Sequence, residues 1–200
     1  MNSDKKALIV TALKSEAKPL IEYYGLKFET ETQFRVYHKD YITLLICGLG
    51  KQKASESVTE FLRIYPEDYL LVNVGIAGGN PKTSKIGEMY VIHKITDKNS
   101  KREWFPDILL KHGLKTSELT TVENAVTDGY GEYENLVDME ASALFEAGIK
   151  CIPAHRMVFL KIVSDAMEAS EFSAINVDLL VRKNISEIAR VIQLCLKSNI

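Results

Sequence analysis

Cysteine and histidine are scarce and scattered. Cys47, Cys151 and Cys195 are odd in number and show no CxxC spacing, so neither a disulfide framework nor a thiolate metal site is expected. The four histidines form no HxxxH pair, and no metal centre is expected. Blocks of single-sign charge are missing too. With 25 basic against 27 acidic residues, nothing marks nucleic acid or an anionic membrane surface as the main partner. No apolar run approaches the roughly 20 residues that a membrane span needs. The run inside MNSDKKALIVTAL is too short and wrongly flanked for a secretory signal. Together these absences lead to the expectation of a cytoplasmic protein with reduced cysteines.

What the chain does hold is apolar material in short bursts. It is 46% hydrophobic over 200 residues, enough for one domain spanning residues 1–200, and no repeat or low-complexity linker divides it. Ala7 to Leu13 (ALIVTAL) reads as a buried strand, followed by Ser15 as N-cap of a helix over SEAKPLIEYY. Gln33 to Tyr37 and Ile42 to Cys47 read as a hairpin around HKDY. A helix with Ala54, Val58, Phe61 and Leu62 on one face follows GLGK. Leu70 to Val74, Glu88 to Thr96 and Met157 to Val163 read as further strands, with GIAGGNP as the turn that ends the first of them. Residues 98–135 are polar; a short helix near Pro106 to His112 and a strand near Leu119 to Val122 are expected there. The tail, with Val181, Ile185, Ile188, Ile192 and Cys195 at helical spacing, reads as a long amphipathic helix. Apolar strands alternating with helices predict an α/β domain with helices on both sheet faces.

In such sheets ligands bind beyond the carboxyl ends of strands. Five places qualify: Ser15–Glu16, Gly48–Lys51, Gly75–Gly79, Ser164–Asp165 and the segment LVDMEASALFEAG, residues 136–148. GIAGG allows a ligand close to the main chain, with Ala77 and Gly78 as candidate contacts. GLGK offers amide groups and a helix dipole to an anion, making Gly50 and Lys51 candidates. Glu16, Glu140 and Asp165 are acids just past predicted strands. Three such acids around one pocket suit cleavage through a cationic, sugar-like transition state.

ALKSEA, GLGKQKA, NVGIAGG, VDMEASA and KIVSDA, in this order, resemble the nucleoside phosphorylase superfamily, most of all its 5′-methylthioadenosine/S-adenosylhomocysteine nucleosidase branch. The resemblance implies a three-layer α/β/α domain with a mixed, twisted sheet, and cleavage of the N-glycosidic bond of a purine nucleoside. It implies that Glu140 accepts from the ribose hydroxyls with Met139 against the sugar, that Asp165 protonates the base with Ser164 orienting it, and that Glu16 activates water. It implies no cofactor, and a homo-oligomer, a dimer foremost, in which Arg35 is a candidate to reach a neighbour's anion site. Asp138 reads as a turn residue. Ile76 and Lys161 stand where the family often has serine and arginine, and the roughly forty residues between Thr96 and Leu136 are few for the family. Tyr130 is the candidate for stacking on the base, with Trp104 and Phe105 as alternatives. Two readings stay open beside hydrolysis: phosphorolysis, with inorganic phosphate as co-substrate, and a nucleoside-binding module without turnover. A dinucleotide fold is disfavoured, because Gly48 and Gly50 lack the third small residue of that fingerprint.

Overall fold

The computed structural model describes residues 5–31, 34–106, 110–168 and 175–198. Ten strands form one mixed sheet: β1 (Lys6–Thr11), β2 (Lys27–Glu31), β3 (Arg35–Lys39), β4 (Ile42–Ile46), β5 (Tyr69–Gly79), β6 (Met89–Asp97), β7 (Glu103–Trp104), β8 (Thr116–Thr121), β9 (Leu136–Asp138) and β10 (Met157–Asp165). Among the described residues four α-helices cover it: α1 (Lys14–Tyr24), α2 (Lys51–Ile64), α3 (Ala141–Gly148) and α4 (Val177–Lys197). Alternation along the strands builds two cores. Leu8, Val10, Leu71 and Phe159 face α2 and α3, where Phe61 and Phe145 are buried. Ala7, Ile9, Val72 and Leu160 face α1 and α4, where Leu20, Ile188 and Ile192 are buried. The α/β/α layering is as expected. Among the described residues no helix is long and apolar enough to cross a membrane.

The sheet is not simply open. Strand β5 runs parallel to β1 along its first half, from Tyr69 to Asn73, and parallel to β10 from Leu71 onward. Its last residues, Gly78 and Gly79, pair with β9 instead of β1. β9 continues to β8, β8 to β6, and β6 back to β10. Five strands thus close on themselves, while β1, β4, β3 and β2 extend as an open wing. Closure brings the ends of β5, β9 and β10 together.

Several expectations need correction. GIAGG is not a turn; β5 continues through it to Gly79. These glycines serve close packing: a Cβ on Gly79 would lie 2.7 Å from Val163 Cγ1 and would also strike Ser84 Oγ. Ser15 does not cap α1, which starts at Lys14, after Leu13. The Glu16 carboxylate caps that end, accepting from the amides of Ala12 and Leu13, each at 2.9 Å. The helix expected near Pro106 to His112 lies partly outside the described residues, and its described part is not helical. Gly79→Ala is expected to lower the unfolding free energy by roughly 1–3 kcal/mol. An unchanged urea midpoint would show that β5 and β10 are not tightly packed at this crossing.

Candidate active site

A cavity of about 300 Å³ opens where the closed strands meet α1 and α3. Glu16 comes from the first turn of α1, Glu140 from the residue before α3, and Ser164 and Asp165 from the end of β10. All four line this one cavity, together with Ala77 and Gly78 of β5 and Met139. Its other walls are aliphatic, including Leu13, Leu49, Ile76, Val122, Val126 and Met167. Polar groups therefore gather in an otherwise apolar pocket, a common design for small-molecule sites.

Each acid is held differently. Glu16 Oε2 accepts from the amides of Ala12 and Leu13, just before α1, and Oε1 accepts from Ile76 N at 3.0 Å. Three of the roughly four lone-pair sites of a carboxylate are thus occupied, and one remains for a ligand. Glu140 Oε1 accepts from Gly50 N at 2.8 Å. Asp165 Oδ1 accepts from Met167 N at 2.8 Å, and its Oδ2 accepts from Ser164 Oγ at 2.5 Å. A bulge between Val163 and Asp165, where β10 shifts register against β5, gives Ser164 its reach to the Ala77 carbonyl at 3.2 Å as well.

Beneath these acids lies a buried ammonium. Lys161 on β10, 1% exposed, pairs with Asp138 Oδ2 at 2.9 Å. Asp138 also accepts from Thr121 Oγ1 at 2.7 Å and, across the start of α3, from Ala141 N at 2.9 Å. It is a buried strand residue that anchors α3, not the turn residue expected. Gly75 stands between Glu16 and Lys161: a Cβ there would lie 3.1 Å from Glu16 Oε1 and 3.3 Å from Lys161 Nζ. The Lys161 ammonium is thus paired with Asp138, and its charge also acts on Glu140 and Glu16.

Burial is the largest influence on Glu140, Glu16 and Lys161. It raises Glu140, helped by the Asp138 charge and opposed by Lys161 and the Gly50 amide, and the group is pushed up to about 7. Burial likewise raises Glu16, against the three amides and Lys161. For Lys161 burial acts downward, but the charges of Asp138, Glu140 and Glu16 outweigh it and hold the ammonium above its ordinary range.

Other sequence candidates lie elsewhere. Gly50 spends its amide on Glu140. Lys51 is paired with Asp97 at 2.9 Å and with Glu123, so it does not serve as an anion ligand here. Arg35 lines a second cavity. Tyr130 does not line the first cavity; it packs with Val122, Val137 and Met167, with Lys82 Nζ 5.4 Å from its ring centroid. Trp104 packs toward Phe145 and Phe105 is 58% exposed, so neither of these alternatives reaches the cavity. Sequence reasoning missed the Lys161–Asp138 pair, although a lone lysine inside MVFLKIV was a signal: a charge in a buried strand needs a buried partner. It also missed the aliphatic wall of Val122, Val126 and Met167.

No protein-family model and no curated protein matches the chain. Solved structures do. The apo 5′-methylthioadenosine nucleosidase of Arabidopsis thaliana superposes with a TM-score of 0.84 at 20% identity, covering 98% of this chain and 97% of that one. A mutant futalosine hydrolase of Helicobacter pylori gives 0.80 at 14% identity, covering 95% and 99%. The 5′-methylthioadenosine/S-adenosylhomocysteine nucleosidase of Neisseria meningitidis, bound to methylthio-immucillin-A, gives 0.78 at 17% identity, covering 94% and 100%. The chain shares its fold with these three structures over nearly its whole length.

The raised Glu140 links stability to pH. Its folded value lies above the ordinary 4.5, so the folded state binds the proton more tightly than the unfolded chain does. That stabilisation is complete below about pH 4.5 and is lost as pH rises through about 7. Relative to Glu140→Gln, the wild type is expected to lose on the order of 2–3 kcal/mol between about pH 5 and about pH 8 in urea denaturation. Parallel stability curves for the two proteins would remove Glu140 from this linkage.

Proposed function

We propose that the cavity binds a purine nucleoside and hydrolyses its N-glycosidic bond. The observation that carries this reading is the convergence of Glu16, Glu140 and Asp165 on one aliphatic-walled cavity. The likeness in fold to nucleosidases supports it.

The chemistry follows from how each acid is held. Glu140 has one oxygen fixed by Gly50, leaving the other to accept from the ribose diol, with Met139 against the sugar. Asp165, oriented by Ser164 and the Met167 amide, delivers a proton to N7 of the purine, so that the base leaves neutral. As the C1′–N9 bond breaks, positive charge spreads over the ring oxygen and C1′. Water then adds at C1′ and gives its proton to Glu16, whose burial-raised basicity suits it to receive one. The bond formed is C1′–O, and the products are free base and ribose derivative.

Water fits better than phosphate as the nucleophile. The Lys51 charge is already neutralised and the Gly50 amide is committed, while the wall near the sugar is anionic. A phosphate dianion there would meet like charge.

Incubation with 5′-methylthioadenosine, adenosine and inosine, with and without phosphate, is expected to release free base independently of phosphate. Asp165→Asn is expected to slow release by about 10² to 10⁴ with little loss of binding. Phosphate-dependent formation of sugar 1-phosphate would establish phosphorolysis instead. Binding without release of base would reduce the protein to a nucleoside-binding module.

A further inference from the structure

Lys51, which does not serve as an anion ligand, has another use. It is the first residue of α2, directly after Gly50, whose amide holds Glu140. Its ammonium reaches two carboxylates on other elements: Asp97 Oδ2, at the end of β6, at 2.9 Å, and Glu123, in the loop after β8. Asp97 is a fixed point, 6% exposed. Its Oδ1 accepts from the Ser100 amide at 2.8 Å and the Ser100 hydroxyl at 3.0 Å. Its Oδ2 accepts from Ser142 Oγ at 3.0 Å as well as from Lys51. Glu123 is half exposed, and it also accepts from Asn99 Nδ2 at 3.1 Å. One end of the bridge is therefore rigid, and the other is carried on a loop.

The position of Glu123 in the chain gives this bridge its consequence. Val122 before it, and Ala125 and Val126 after it, line the nucleoside cavity; Leu49, two residues before Lys51, lines it too. The backbone of the loop is tied by Val122 N to Asp138 O at 2.8 Å and by Gly129 N to Met167 O at 2.9 Å, and the Glu123 carboxylate is held between these ties. We propose that Lys51 is a positioning residue that clamps this loop, through Glu123, onto the anchor at Asp97 and so holds the aliphatic wall of the cavity against the nucleoside. For the identity of the ligand this rests on the nucleosidase reading. Aliphatic contacts are made alike with the substrate and with the transition state, because the charge that develops lies at the carboxylates. Loosening the wall therefore weakens binding and leaves the chemical step in place. A wall that is in position only part of the time lowers the apparent affinity by that fraction.

The test compares the full chain with Lys51→Met, Glu123→Ala and the double variant, using 5′-methylthioadenosine. KM for base release and Kd from calorimetry are expected to rise about tenfold in each single variant, with kcat changed by less than about twofold. The double variant is expected to be no worse than the poorer single one, since both remove the same link. Hydrogen exchange over residues 122–127 is expected to quicken in all three. Glu123→Ala alters only a half-exposed side chain, so it keeps the test decisive if Lys51→Met folds poorly. Unchanged KM and Kd in Glu123→Ala overturn the proposal, even where urea denaturation shows lost stability, because the bridge is then merely structural. Fully additive effects overturn it too, as does a fall in kcat at constant KM, which would place the action of Lys51 on Glu140 through Gly50. If no base is released from the wild type, the hydrolase reading fails, and hydrogen exchange in the three variants still decides whether Lys51 clamps the loop.

Discussion

The pairing of Lys161 with Asp138 is the interaction on which the rest of the site depends. Glu16, Asp138 and Glu140 are all nearly excluded from water. Charges so buried, without a cation, would neutralise or disrupt the fold, since an unpaired buried ion costs several kcal/mol. Lys161 supplies that cation from the middle of a fully buried strand. Because Asp138 also accepts from the Ala141 amide, the pair fixes where α3 begins and therefore where Glu140 stands. Glu140 in turn accepts from Gly50, at the start of α2. The starts of two helices and the ends of two strands are joined in one network around a single ammonium.

Closure of the sheet gives that network its shape. In an open sheet β5 would keep β1 as its neighbour to the end. Instead its last residues exchange β1 for β9, and the gap left beside β1 is the cavity. Small residues make the exchange possible. Gly75 leaves room for Glu16 and Lys161 to face each other, and the tail of β5 runs between β10 and β9 with little bulk of its own.

Much of this was legible in the sequence, for a definite reason. Strand-end acids are visible because an apolar run followed by a carboxylate stands out. Glu16, Glu140 and Asp165 were readable in this way, and their convergence follows from the rule that α/β sites form at carboxyl ends of strands. Long-range pairing was not readable. Lys161 and Asp138 find each other only through the path from β10 by β5 to β9, and no local pattern encodes that path. GIAGG was misread as a turn because glycine serves both tight turns and close packing, and only the neighbours decide between them. β2 (KFETE) and the two-residue β7 escaped notice because neither has an apolar face of its own. Tyr130 misled because an aromatic beside glycine suggests a platform, while its ring is used to pack against the wall from behind.

The charge around the cavity bears on the choice of nucleophile. Glu16, Asp138, Glu140 and Asp165 all line it, with Lys161 paired to Asp138 beneath them. Two unit charges about 4 Å apart interact by about 4 kcal/mol at an effective dielectric of 20. At that scale the first cavity repels an incoming dianion and favours a sugar that is becoming positive, as the proposed hydrolysis requires. Water carries no such penalty.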